Sequence, residues 1–143
     1  MKKLIIAAAM FVSLSAFAGE EKVSEKVLNA FKTEFARAEE VEWTIGQDYY
    51  KAAFGMNGQR VFAFYNTDGE LMGLTRNINS SQLPVKLQTN LKKNYNSYWI
   101  SDLFEVSNND GTSYYVTLEN GDNKVVLKSA GNDWTTYKND RKI

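Results

Sequence analysis

The sequence predicts an α+β protein built from two tandem copies of one unit, each a helix followed by four antiparallel strands. Apolar residues recur at helical spacing in two separate segments of the chain. After each segment the pattern changes to the alternation of β-strands, interrupted by turns rich in Gly, Asn and Asp. Joined edge to edge, the two copies are expected to form one curved sheet of about eight strands with both helices on one face.

The first 18 residues have the layout of a secretory signal peptide. Two lysines precede an apolar run that ends near Val12. The small residues Ala16 and Ala18 then mark a cleavage site before Gly19. Because the run is shorter than the roughly 20 residues that span a bilayer, a membrane anchor is not expected. We therefore expect a cleaved leader, a single domain over residues 19–143 without a membrane span, and periplasmic or secreted localisation.

The first copy of the unit is expected over residues 24–77. Its helix begins at Ser24, whose side chain can cap it, and continues to residue 38 with one apolar stripe. The dipeptides Asn57-Gly58 and Asp68-Gly69 favour hairpin turns between strands. The four strands are predicted over residues 41–45, 49–54, 60–66 and 70–76.

The second copy, over residues 81–139, repeats this order. Its helix opens with Pro84, which is tolerated in a first helical turn. We expect Tyr50-Ala52-Phe54 to correspond to Tyr114-Val116-Leu118. We also expect Phe62-Phe64 to correspond to Val125-Leu127, after a length change of one residue. The four strands are predicted over residues 102–107, 113–119, 123–128 and 133–138.

Several of these segments resemble a bacterial periplasmic family called PepSY-like or β-lactamase-inhibitor-like (BLIP-like). The similar segments are Val27-Leu28-Asn29-Ala30-Phe31, Val41-Glu42-Trp43, Tyr50-Lys51-Ala52-Ala53-Phe54, Asp68-Gly69-Glu70-Leu71, and Leu83-Pro84 with Tyr95. The resemblance covers nearly all of the chain after the leader. It implies a fold of tandem helix-plus-sheet units, export, and a binding or inhibitory role.

The inhibitor for which this fold group is named binds an enzyme with the concave face of its sheet and contains disulfides. The present chain contains no Cys. The resemblance to that inhibitor is therefore one of architecture, and it does not by itself imply inhibition of a β-lactamase.

The composition excludes most common catalytic centres. Without Cys or His there is no thiolate nucleophile, no Ser-His-Asp triad and no imidazole metal site. Equal numbers of basic and acidic residues argue against an electrostatic nucleic-acid surface. The run Asn66–Glu70 resembles part of a calcium loop, but Phe64 and Thr75 stand where ligands would be needed. We expect no catalytic residue, no metal, no cofactor and no nucleic-acid partner.

Alternation along the strands defines a candidate binding surface. If the aromatic residues Phe54, Phe62 and Phe64 face the helices, their neighbours face away. This second face mixes tyrosines, lysines and small residues, a composition found at binding hot spots. Cross-strand pairing that only stabilises the sheet is the alternative for each tyrosine. The predicted contacts are Tyr49, Lys51, Tyr65, Tyr115 and Lys128, with Trp134 either an exposed anchor or a cover for the sheet edge.

The sequence thus predicts an exported, non-catalytic binding module that contacts a protein or peptide through the helix-free face of its sheet. One alternative is an inhibitor of an envelope or secreted hydrolase. Another is a carbohydrate-binding module that stacks sugars on Tyr and Trp, with Trp134 as the first residue to test. The oligomeric state is left open.

Overall fold

The computed structural model describes residues 17–142 and confirms the α+β class, with a helix ahead of each set of four antiparallel strands. Contacts divide the chain into two compact units. The first extends to Arg76 and includes Ser107–Asp110, and the second comprises Asn77–Val106 and the chain from Gly111 onward. The elements are β1 Phe17–Ala18, α1 Glu25–Glu34, β2 Glu39–Ile45, β3 Tyr50–Met56, β4 Gln59–Tyr65, β5 Leu71–Asn77, α2 Val85–Asn94, β6 Trp99–Asn108, β7 Gly111–Glu119, β8 Asn123–Ala130 and β9 Asp133–Arg141.

Two residues of the predicted leader take part in the first unit. Phe17 and Ala18 form β1 and pair antiparallel with β2, opposite Thr44 and Trp43. Residues 1–16 lie outside the described part of the chain. Within the described part, no helix is long and apolar enough to cross a membrane.

In the first unit, α1 packs an aromatic stripe against β2, β3 and β4. The helix begins where the Ser24 hydroxyl accepts a hydrogen bond from the Val27 amide at 3.4 Å. It ends at Phe35, short of the predicted residue 38, because Phe35 leaves the helical region with φ −128°. The Phe31 ring lies edge-on to Trp43 and Phe54, with ring centroids 5.2 and 5.1 Å apart. The rings of Phe31, Phe35, Trp43 and Phe54 therefore pack together between the helix and the sheet.

In the second unit, α2 packs an aliphatic stripe against the sheet. A turn of 3-10 helix, Ser80–Gln82, precedes this helix. A capping box between Asn79 and Gln82 stabilises the start of that turn. The buried residues packed together here are Leu83, Leu87, Leu91, Leu103, Val116, Leu118, Val125 and Leu127. No aromatic side chain belongs to the fully buried part of this cluster among the described residues. The two units therefore have the same element order but different core chemistry.

The correspondence between the units differs from the sequence prediction in one place. On the helices, Phe31 corresponds to Leu91, and in β3 and β7, Ala52 corresponds to Val116 as predicted. In β4 and β8, however, Val61 and Ala63 occupy the core positions of Val125 and Leu127. The predicted match of Phe62 and Phe64 to Val125 and Leu127 is wrong, and no change of length is needed between the paired strands.

Candidate functional site

The helix-free face of the second unit is formed as the sequence predicts. In β7 and β8, Val116 pairs with Leu127 and both belong to the core under α2. Tyr115 pairs with Lys128, so these two residues lie on the opposite face. The alternation predicted for this hairpin is confirmed.

In the first unit, the predicted orientation is right for β3 and wrong for β4. The two-residue turn at Asn57-Gly58 pairs Met56 with Gln59, and this register places Phe54 opposite Val61. Because directly paired residues point to the same face, Val61, Ala63 and Tyr65 face α1. Phe62 and Phe64 therefore lie on the helix-free face together with Lys51.

The physical reason for this inversion lies in the volume of the core. Phe31, Phe35, Trp43 and Phe54 fill much of the space under α1, so Val61 and Ala63, two of the β4 residues on this face, are small. Ala63 and Ala52 are both fully buried among these rings. The signal was present in the sequence, because counting outward from Asn57-Gly58 pairs Phe54 with Val61.

Tyr65, a predicted contact residue, belongs to the core of the first unit. Its side chain is fully buried, and its hydroxyl donates a hydrogen bond to Glu34 Oε1 at 2.9 Å. Burial, followed by the hydrogen bond and the negative charge of Glu34, raises the pKa of Tyr65 well above its ordinary value. The placement of Tyr65 on the helix-free face is thereby corrected.

Lys51 and Tyr49 lie on the helix-free face of the first unit. The Lys51 ammonium is 5.6 Å from the centroid of the Phe62 ring, and in the strand register Lys51 lies opposite Phe64. Burial lowers the pKa of Lys51. The Tyr49 ring is 5.9 Å from that of Phe64 and covers Gly46, where an added Cβ would come within 2.1 Å of the Tyr49 ring. Glycine is thus required at position 46 while Tyr49 keeps this orientation.

Tyr115 and Lys128 form the corresponding group in the second unit. Tyr115 stacks on Phe104 at 5.2 Å with ring planes 10° apart, and Tyr137 approaches it edge-on at 5.3 Å. The Lys128 ammonium lies 5.7 Å from the centre of the Tyr115 ring. Tyr115 is only 4 % exposed, and burial raises its pKa. The expectation that Tyr115 is an open contact is corrected: the half-buried Lys128 is the more accessible of the two.

The same two register positions carry a lysine and an aromatic ring in both units, with their places exchanged. In the first unit, Lys51 on β3 lies opposite Phe64 on β4. In the second, Tyr115 on β7 lies opposite Lys128 on β8. We call these two arrangements the lysine–aromatic pairs. The sequence alignment missed this exchange because it shifted β4 by one residue.

Trp134 is not an exposed anchor. It packs against the core of the second unit, and its indole N–H donates a hydrogen bond to the Leu87 carbonyl at 3.1 Å. The indole therefore extends from β9 over α2, whereas the alternative that the sequence offered was a cover for the sheet edge. With its N–H engaged and its ring half-buried, it offers no open platform for stacking a sugar.

The run Asn66–Glu70 forms a turn, and Glu42 makes a surface ion pair. The Asn66 side-chain oxygen accepts hydrogen bonds from the backbone amides of Asp68 and Glu70, which explains the sequence of this turn without a bound cation. A carboxylate oxygen of Glu42 on β2 lies 3.7 Å from the guanidinium group of Arg60 on β4. In the described portion, no three acidic side chains converge as a metal site would require.

Comparison with known proteins identifies solved structures with the same fold. No family model matches the chain, and no curated protein matches it by sequence. A protein from Bacteroides eggerthii, described as a “putative periplasmic” protein, superposes with a TM-score of 0.73 at 14% identity, over 83% of this chain and 88% of its own. A BLIP-like protein from Bacteroides fragilis gives 0.69 at 20% identity, over 82% and 85%. A DUF2874 family protein from Bacteroides ovatus gives 0.72 at 19% identity, over 82% and 86%.

These likenesses concern the fold, because all three identities are low. The description of the Bacteroides eggerthii protein agrees with the periplasmic or secreted localisation predicted from the leader. None of the three descriptions contains the PepSY label. The predicted BLIP-like architecture is confirmed: this chain has the fold of the BLIP-like and DUF2874 proteins of Bacteroides.

Proposed function

We propose that this chain is an exported, non-catalytic binding module that contacts a protein or peptide through the helix-free faces of its two units. The proposal rests on one observation: a lysine–aromatic pair stands at matching register positions in both hairpins. The fold shared with a BLIP-like protein supports a binding role. The sequence contains no Cys or His for nucleophilic or imidazole chemistry.

The chemistry of the pairs suits recognition of a partial or full negative charge. Each ammonium group lies within 6 Å of a ring face, so its alkyl stem is packed and its head is held in place. A held cation loses less side-chain entropy on binding than a free surface lysine does. The ring beside the ammonium group is half-buried Phe62 in the first unit and buried Tyr115 in the second. Half-buried Tyr49 extends the contact area of the first unit.

The proposal is tested by affinity capture from the cell envelope with the exported protein as bait. The double variant Lys51→Glu/Lys128→Glu should lose the captured partner. The matched control is Lys26→Glu/Lys86→Glu, because these exposed lysines occupy the second position of α1 and α2 and the change in charge is the same. If both variants lose the partner equally, the loss is caused by the change in net charge and not by the position of the lysines. If both capture the partner equally, the helix-free faces are not the binding surface.

A second candidate is an inhibitor of an envelope or secreted hydrolase, which the fold shared with the BLIP-like protein favours. Addition of the purified protein to a periplasmic extract should then lower hydrolytic activity in proportion to its concentration. The Lys51→Glu/Lys128→Glu variant should lose that effect while keeping its circular dichroism spectrum. Hydrolysis that is unchanged at saturating protein would exclude this candidate and leave the binding role standing.

A further inference from the structure

Each unit contains a surface cavity in an equivalent position, between the last turns of its helix and the start of the following strand. The first-unit cavity has a volume of about 290 Å³, and its lining includes Glu20, Lys32 and apolar residues of α1 and β2. The second-unit cavity has a volume of about 450 Å³, and its lining includes Ser80, Leu91, Lys92, Tyr95, Tyr98 and Ile100. The larger volume falls within the range of small-molecule sites.

The first-unit cavity contains its own ion pair. The Lys32 ammonium is bound to Glu20 Oε1 at 3.0 Å, and both residues line the cavity. A carboxylate of the chain itself therefore neutralises the only cation in this lining.

The second-unit cavity has the same cation without the carboxylate. Lys92 occupies the place of Lys32 on α2, and Ser80 occupies the place of Glu20. Across residues 17–142, Lys92 has neither an ion pair nor a hydrogen bond through its side chain, and no acidic residue lines this cavity. The helix macrodipole adds negative potential near Lys92 but leaves its ammonium without a discrete partner.

The rest of the second-unit cavity is amphipathic. Tyr95 and Tyr98 meet edge-on at 5.5 Å, and both rings are half-buried. Leu91 is buried beneath them, while Ile100 remains 41% exposed at the cavity rim. No hydrogen bond to either phenolic hydroxyl is found within the described chain, so both hydroxyls remain able to donate.

We propose that the second-unit cavity binds an amphiphilic carboxylate. Its anionic end pairs with Lys92 and accepts hydrogen bonds from the tyrosine hydroxyls, and its apolar body packs on Leu91, Tyr95 and Ile100. The first unit supplies the internal precedent, because there the equivalent lysine already holds a carboxylate. This site is separate from the lysine–aromatic pairs and does not depend on the function proposed for them.

The test is calorimetric titration of the exported protein with octanoate, with octanamide as the neutral probe of the same length. Octanoate should bind with one site per chain, and octanamide should bind about tenfold more weakly because it lacks the charge. Lys92→Met should weaken octanoate binding by a similar factor and leave octanamide unaffected. Ser80→Glu places a carboxylate where the first unit has Glu20. This variant should also weaken octanoate binding, because the new carboxylate pairs with Lys92.

A gain of binding sharpens the test. Glu20→Ser removes the internal carboxylate of the first-unit cavity and should add a second, weaker octanoate site. Chemical shift changes should fall at Tyr95, Tyr98 and Ile100 in the wild-type protein, and not at Lys51 or Lys128. Absence of octanoate binding, equal affinity of wild type and Lys92→Met, or an unchanged single site in Glu20→Ser would overturn the proposal.

Discussion

The two units build the same helix-and-meander arrangement from opposite core compositions. The first places large rings at Phe31, Trp43 and Phe54 and compensates with Ala52 and Ala63. The second uses medium-sized aliphatic residues throughout, with Val116 and Leu127 at the two alanine positions. The difference teaches that the fold specifies total core volume and the direction of each side chain, while the individual residue types are exchangeable as sets.

The largest effect is expected from removing the central ring of the first unit. Phe54 is fully buried and lies 5.1 Å from Phe31 and 5.0 Å from Phe35. Phe54→Ala should lower the free energy of unfolding by about 3–5 kcal/mol, and its counterpart Leu118→Ala by about 2–5 kcal/mol. Urea denaturation measures both values. A loss below about 1 kcal/mol for Phe54→Ala would contradict a ring-filled core in the first unit.

A smaller effect should follow from moving one residue type between the units. Ala63→Leu gives the first unit the residue that the second carries at this position, but the surrounding rings leave no space for it. Overpacking should cost about 1–3 kcal/mol of unfolding free energy. The control is Ala130→Leu on β8, where the side chain is exposed, with an expected change within about 0.5 kcal/mol. Equal effects at positions 63 and 130 would mean that the core around Ala63 has room for a larger side chain.

The Tyr65 hydroxyl provides a contact that the second unit lacks, because Ser129 stands at the corresponding position on β8. Tyr65→Phe retains the ring and removes the hydrogen bond to Glu34. We expect a loss of about 1 kcal/mol in thermal or chemical unfolding, since the Glu34 side chain lies at the surface. The additional variant Glu34→Gln in the Tyr65→Phe background should then cost little more, and an additive second loss would show that the pair is not coupled.

The stability of the protein at alkaline pH should depend on Tyr65 as well. The folded-state pKa values of Tyr65 and Tyr115 are raised, so the folded chain holds these protons more tightly than the unfolded chain does. Their contribution is fully present below pH about 10, the ordinary value for tyrosine, and is lost as the pH rises above it. Tyr65→Phe should reduce this alkaline decline, as measured by denaturation at a series of pH values. A decline identical to that of the wild type would assign the proton linkage to other groups.

The sequence was sufficient for the order of the two helices and of the four strands after each, and for the β7–β8 hairpin. It left the role of Trp134 open between an exposed anchor and a cover for the sheet edge. Periodicity placed α2 and the alternation of β7 and β8, because Val116, Leu118, Val125 and Leu127 are the apolar set there. In β4 both alternating sets are apolar, so hydrophobicity alone could not decide which one faces the helix. The hairpin register decides it, and with it the burial of Tyr65.

Other features of the candidate site depend on distances that periodicity does not contain. The stacking of Tyr115 on Phe104 and the position of each ammonium over a ring follow from the packing of neighbouring strands. Lys32 has an ion-pair partner in its cavity and Lys92 has none among the described residues, because Ser80 stands in the second cavity where Glu20 stands in the first. Periodicity does not show which residues line the two cavities.

The proposal that the helix-free faces bind the partner is tested most directly by lysine footprinting of the exported protein, alone and in its captured complex. Acetylation followed by mass spectrometry measures the reactivity of each lysine separately. We predict that Lys51 and Lys128 are protected in the complex, while Lys26 and Lys86 on the helices react as in the free protein. Protection of the helix lysines, with Lys51 and Lys128 unchanged, would contradict the proposal.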